Sequence, residues 1–375
     1  MNRRHFLATS IATLTTAALS PSLFSQDAAP KNPALREKAQ IAIEKGLGFL
    51  ENAQKPEGFW SSTDYPGLTA LVIQAFISAP EGKHRGAEPV KKGLKFIRDN
   101  VKPDGGIYSK GMGNYNTAVA MTALLLAGEP GDQPLIEGAR RFLIGAQTKN
   151  SATPSGDGGF GYESGDSGRM SRPDLDNTVF TLEALALYRE ANRAKERSGD
   201  KDLNWQAAIE FVTRCQNLPA TNKEKWASND AAEKGGFTYT PGGDDKGTHS
   251  YGTMTYAGLL SLSYAEVKAD DERVKAAVEW LTRHYTLEEN PGQGQQGLYY
   301  YYLVMAKGLT AAGLETLPKK DGTSANWREE LANKLFSLQK PDGSWANDNG
   351  RWMEKDPVLA TSYTVLALNL LSGRL

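Results

Sequence analysis

The chain has a single cysteine and four histidines among its 375 residues. One thiol, Cys215, excludes a disulfide framework and any metal site built from clustered cysteines. The apolar pair Phe211-Val212 just before it marks a buried structural thiol rather than a nucleophile. An excess of one charge is missing too. The formal net charge is −1, which gives no electrostatic reason to expect nucleic acid or an anionic membrane surface as partner. Beyond the N-terminus no segment carries ~18 uninterrupted apolar residues, so no transmembrane anchor is expected in the mature chain. Glycine, by contrast, is plentiful at 38 residues and gathers in short loops between apolar runs.

The N-terminus reads as an address. Asn2-Arg3-Arg4-His5-Phe6-Leu7 pairs two arginines with an apolar pair, and Ala8 to Leu19 is uncharged and rich in Ala, Thr and Leu. A basic start, an apolar stretch too short to span a bilayer and small residues after it describe a signal peptide over 1–29. The twin arginine points to the Tat route. Export to the periplasm or the exterior is therefore expected.

The remainder, 33–375, repeats itself. First halves run Lys45-Gly46-Leu47-Gly48-Phe49-Leu50, Lys92-Gly93-Leu94-Lys95-Phe96-Ile97, Ala139-Arg140-Arg141-Phe142-Leu143, Ala208-Ile209-Glu210-Phe211-Val212 and Ala277-Val278-Glu279-Trp280-Leu281. A sixth ends at Gln339-Lys340-Pro341-Asp342-Gly343-Ser344-Trp345. Their spacing is that of an amphipathic helix, stopped by a Gly-bearing loop. After each loop comes a second helix, keyed by a Thr with a small or apolar pair six and seven residues on: Thr69, Thr117, Thr178, Thr253 and Thr361. In the fifth repeat Tyr302 holds that place. The second helices are apolar on nearly all sides, which makes them inner helices, and the first helices form an outer layer. The last one, Val358 to Leu371, needs an apolar neighbour that an open solenoid would not supply. The expected fold is all-α: an (α/α)6 toroid of six helical hairpins in a single domain. The longest insertions, Thr148 to Pro173 and Leu218 to Asp245, both precede inner helices and crowd one end of the ring, where a ligand cavity would open.

The block from Lys45 through Phe49-Leu50 and Gln54 to Gly58-Phe59-Trp60 matches the QW motif of triterpene cyclases position for position, and the sixth block matches its second half. The chain resembles the terpenoid-cyclase and protein-prenyltransferase α/α-toroid superfamily, most of all the squalene-hopene cyclases, over about 33–375. Asp174-Leu175-Asp176-Asn177-Thr178-Val179 resembles the cyclase Asp-x-Asp-Asp-Thr-Ala motif, with Asn177 in place of the third acid. The resemblance implies an acid at Asp176, with Asp174 and Asn177 beside it, that protonates an alkene or epoxide. That requires a protonated, dry carboxyl. It also implies aromatic faces to stabilise carbocations. Tyr65, Tyr115, Tyr251, Tyr299 and Tyr302 are candidates, within a run from Tyr299 to Tyr302. The histidine that supports the acid in cyclases falls at Thr255. A prenyltransferase zinc site would need a Cys where Ala257 stands and a His near Ala360-Thr361-Ser362-Tyr363. Neither is present, so no metal or other cofactor is expected.

Three functions fit these residues. The first is a terpenoid cyclase or isomerase acting on an apolar, isoprenoid-like ligand. The second is a binding or scaffold toroid, in which Asp176 merely caps a helix, for which Asp is a preferred residue. The third is a carbohydrate-active (α/α)6 enzyme, which would need facing carboxyls, Asp176 with Asp174, Asp244 or Asp245. The loop Gly156 to Asp166, echoed by Gly235-Gly236-Phe237-Thr238-Tyr239, reads as a rim turn and matches no EF-hand spacing, though hard oxygen ligands could hold Ca²⁺ there. His249 reads as a surface or cap residue near the same rim.

Overall fold

A computed structural model of the protein describes residues 32–149, 154–163, 172–193, 202–243, 247–319 and 322–375. The signal-peptide reading, Asp244, Asp245 and the end of the 156–166 loop lie outside them. Among the described residues there are twelve α-helices: α1 Pro33–Ala53, α2 Pro66–Ile77, α3 Glu88–Asp99, α4 Gly113–Ala127, α5 Gln133–Ala146, α6 Leu175–Asn192, α7 Trp205–Arg214, α8 Gly252–Tyr264, α9 Glu272–Arg283, α10 Leu298–Ala311, α11 Trp327–Leu338 and α12 Pro357–Ser372. A two-residue hairpin, Leu317–Pro318 against Ser324–Ala325, is the one sheet among them.

The even-numbered helices are the inner ones. Each packs on the next, and α12 packs on α2, so the ring closes. The odd-numbered helices lie outside, and α3, α5 and α9 each sit on the inner helix before them. By the same rule α1 sits on α12. The first helix thus covers the apolar last one, and the Asn32 amide donates to the Leu375 carbonyl at 2.9 Å. Every residue of α2 is buried, as suits a helix with no polar face.

The repeat residues account for the hairpins. Gly58, Gly105, Gly158, Gly235 and Gly343 all have φ between 88 and 93°, a region that disfavours a side chain. A Cβ at Gly158 would lie 2.0 Å from the Ala207 carbonyl oxygen on the next outer helix. Two residues past each of these glycines stands an aromatic or apolar residue, Trp60, Ile107, Phe160, Phe237 or Trp345, and the repeat threonine follows near the start of the inner helix. The hydroxyl oxygens of Thr69, Thr117, Thr178 and Thr361 accept from the amides of Trp60, Ile107, Phe160 and Trp345. In the fourth repeat the expected Thr253 does not do this: Thr255 accepts from Phe237 at 3.1 Å. The register there shifts by two, because the insertion before α8 obscures where the helix begins. Gln54, Gln147, Gln216 and Gln339 each donate to a glycine carbonyl of their own loop and to a carbonyl of the next outer helix, at its start for the first three and in the middle of α1 for Gln339. The rim turn of the third repeat is this same loop, with Gly158 and Phe160 in the repeat positions. His249 is exposed on the rim and bonds Glu233 at 3.1 Å.

Candidate acid site at the mouth of the ring

Inner helices begin at one rim, and their free amides need acceptors there. Asn116 accepts from Gly67 at 2.8 Å, Asn290 from Thr253 at 3.0 Å, and buried Glu354 from Tyr300 at 2.8 Å. Glu163 accepts from Gly113 at 3.2 Å, and Asp356 caps its own helix through Val358 at 2.9 Å. For α6 the cap is Asp174. It accepts from the Asn177 amide at 2.7 Å and from the Asn177 side chain at 2.8 Å. The capping role considered for Asp176 therefore belongs to Asp174, and this is a correction to the sequence reading. Asn177 serves that cap.

Asp176 stands in the first turn of α6 and faces the bore. Its Oδ1 accepts from the Tyr300 hydroxyl of α10 at 2.5 Å. Tyr300 is stacked on Phe180 of α6, centroids 5.8 Å apart. Phe180 meets Tyr115 of α4 edge-on at 5.2 Å, and Tyr300 meets Tyr363 of α12 at 5.4 Å. The hydroxyls of Tyr115 and Tyr363 face each other and complete a collar of four rings. Phe180 and Tyr363 are each 7% exposed, whereas Asp176, Tyr115 and Tyr300 are half-buried. The four rings meet across the bore, and Asp176, one turn before Phe180 on α6, lies on their mouth side. Tyr162 and Tyr239 stand over that side, their hydroxyls 3.5 Å apart.

Burial pushes the Asp176 carboxyl up to about 6, against the Tyr300 donor that lowers it. Asp174 is pushed up to about 8 by burial and by the charge of Asp176, against its donors from Asn177 and Tyr239. Because the charge of Asp176 raises Asp174, the two carboxyls titrate as a pair, which retains a proton across neutral pH. Desolvation and the charge of Asp176 drive the Tyr300 hydroxyl up as well, so it stays a donor. Below the collar, Lys307 of α10 bonds Glu183 of α6 at 2.6 and 2.9 Å. Among the described residues no three His, Cys, Asp or Glu side chains gather as metal ligands.

Of the five tyrosines expected around a cavity, Tyr115 lies in the collar. Tyr65 and Tyr251 occupy the residue before α2 and before α8. Tyr299 and Tyr302 turn outward from the collar and bond the carbonyls of Ala346 and Leu287. Sequence reasoning passed over Phe180, Tyr363, Tyr162 and Tyr239. Phe180 carries a legible signal, four residues after Asp176 and so on the same face of α6. Tyr363 carries a weaker one, two residues after the repeat Thr361. The two loop tyrosines share one, as matching ends of the echo between Gly158-Gly159-Phe160-Gly161-Tyr162 and Gly235-Gly236-Phe237-Thr238-Tyr239.

No family profile matches the chain, and no curated protein does. Solved structures do. Type II terpene cyclase MstE from Scytonema aligns with a TM-score of 0.56 at 12% identity, covering 90% of this chain and 98% of that one. Protein geranylgeranyltransferase-I of Candida albicans, complexed with GGPP, aligns with 0.53 at 14% identity, covering 88% and 90%. The chain has the fold of the terpenoid-cyclase and prenyltransferase α/α toroids. A GH76 α-mannanase from Bacteroides thetaiotaomicron aligns with 0.55 at 10% identity, covering 88% and 95%. The toroid thus carries chemistries as different as terpene cyclisation and glycan cleavage, and the site has to decide between them.

Proposed function

We propose that the protein is an exported, terpenoid-cyclase-like toroid in which Asp176 acts as a Brønsted acid on an apolar, isoprenoid-like ligand. The observation that carries this reading is a protonatable carboxyl set directly on an aromatic collar. The proton leaves Asp176 for the terminal alkene carbon, whose π pair forms the new C–H bond. The carbocation left behind is stabilised by the faces of Tyr115, Phe180 and Tyr300. The cation then loses a proton from a neighbouring carbon to form the product alkene, and a proton returned to the carboxylate restores the acid. A related toroid, MstE, is known with geranylgeranyl dihydroxybenzoate as substrate, which supports a polyprenyl group as the ligand here. A ligand bound on the mouth side of the collar would reach Asp176. No described helix is long and apolar enough to cross a membrane.

An aromatic collar is also what a binding toroid without turnover would have, and this is the second reading. The carbohydrate reading is weaker. Asp174 has both oxygens engaged in the α6 cap, and Glu183 lies beneath the collar bonded to Lys307, so neither faces Asp176 across an open groove. Incubating the purified protein with a panel of isoprenoids decides. A product that forms with the native protein and disappears in Asp176→Asn supports the acid. No product, with isoprenoids still bound, leaves the binding toroid. Export is tested separately: replacing Arg3 and Arg4 by Lys blocks transport by the Tat route, and undiminished export refutes that route.

A further inference from the structure

Asp176 has two carboxyl oxygens, and they differ. Oδ1 receives the Tyr300 hydroxyl at 2.5 Å. Oδ2 accepts from no described group. An oxygen that already accepts a strong hydrogen bond is a poor place for a proton, so the protonated acid carries its hydrogen on Oδ2. We propose that Tyr300 is a positioning residue for the acid: it reserves Oδ1 and thereby aims the transferable proton, on Oδ2, at the mouth side of the collar. The proposal rests on the acid reading of Asp176 and adds the residue that orients it.

Tyr300 is itself held from three directions, as an orienting group must be. Its ring is stacked on Phe180 at an interplanar angle of 17°. Tyr363 packs against it at 5.4 Å. Its backbone amide is fixed by Glu354, a carboxylate 1% exposed. A phenylalanine could make these three contacts too; the bond from the hydroxyl to Asp176 is the one that needs a tyrosine. The groups facing Asp176 from the surrounding elements are Asp174 at the start of its own helix, Tyr115 from α4, Tyr300 from α10, Tyr363 from α12, and Tyr162 and Tyr239 from the loops. Tyr300 alone of the tyrosines donates to Asp176 within hydrogen-bond distance. When the proton departs from Oδ2, the carboxylate formed keeps the Tyr300 bond, which stabilises the negative charge at that moment.

A role in positioning has a signature that packing lacks. Tyr300→Phe keeps the ring and its stacking but removes the donor to the ionised form, so Asp176 becomes a weaker acid. Carbon-13 carboxyl NMR, with Asp176→Asn identifying the resonance, follows the titration without any substrate. The native midpoint is expected near 6, and Tyr300→Phe should raise it by about one unit or more. Tyr363→Phe, which leaves the Tyr300 bond in place, should not. With a turned-over isoprenoid, kcat of Tyr300→Phe falls while the basic limb of its pH profile moves upward. An unchanged midpoint in a folded Tyr300→Phe overturns the positioning role and leaves the acid reading standing. A native midpoint in the ordinary range near 3.8 overturns the acid reading, and the positioning role with it.

Discussion

Asp174 and Asp176 are two residues apart and have opposite duties. One spends its oxygens on the amides of its own helix, the other presents its carboxyl to the bore. Removing the first is therefore a stability experiment. Asp174→Ala should cost about 0.5–2 kcal/mol, the range of a lost helix cap, read from urea denaturation. Asp176→Asn should leave the fold intact and abolish acid-dependent turnover. The pH dependence of the pair follows from their raised values. The folded state retains protons that an unfolded chain has already released, so ionisation opposes folding. Stability is greatest below the unfolded value of 3.8 and falls as pH rises, until Asp176 has ionised near 6 and Asp174 near 8. Asp176→Asn should consequently melt at a higher temperature than the native protein at pH 8, with the difference vanishing at about pH 4. A calorimetric pH series with the opposite slope would contradict this.

Helices α6 and α10 do not adjoin in the ring, since α8 lies between them, yet they are tied across the bore. Asp176 and Phe180 meet Tyr300, and further along both helices Glu183 meets Lys307. Each helix advances seven residues between the first rung and the last, about 10 Å by helical rise, so the two run side by side. The lower rung is a charged pair whose side chains are 13% and 16% exposed. Breaking it from one side strands a charge. Lys307→Met should cost about 3–5 kcal/mol, while Glu183→Gln with Lys307→Met together should cost far less. Chemical denaturation of the single and double variants measures this. Equal losses would show that the pair is only incidental packing.

At the scale of the molecule, the ring depends on contacts between its first and last repeats. Gln339 donates to the Ala42 carbonyl of α1 at 2.9 Å and to the Gly343 carbonyl of its own loop at 3.0 Å. Its counterpart Gln54 makes the same pair of bonds to Pro89 and Gly58. Gln339→Ala should destabilise by about 1–3 kcal/mol, as two carbonyls lose their partner. A closed ring also predicts that Gln54→Ala and Gln339→Ala cost similar amounts and that unfolding stays a single transition. A separate early transition of α1 and α12 in Gln339→Ala, seen by hydrogen exchange, would mean the ring is a solenoid with touching ends.

How much of this was legible beforehand depends on whether the cause is local. Helix pattern, glycine at the turns, glutamine at the helix ends and apolar inner helices are all properties of a repeat by itself, and six copies reinforce one another. Those features determined the (α/α)6 ring from the sequence, and they put Asp176 at the start of an inner helix. The fourth repeat shows the limit: without a local marker, Thr253 and Thr255 are equal choices, and the bond to Phe237 alone separates them. Tertiary structure decided the rest. Whether Asp174 or Asp176 caps the helix turns on which side chain points back along α6. The partner of Asp176 lies 124 residues away on α10, and neighbouring Tyr299 and Tyr302 point elsewhere because successive helical residues are rotated about 100° apart. A sequence shows four tyrosines in a row. Only the closed ring selects the one that meets the acid.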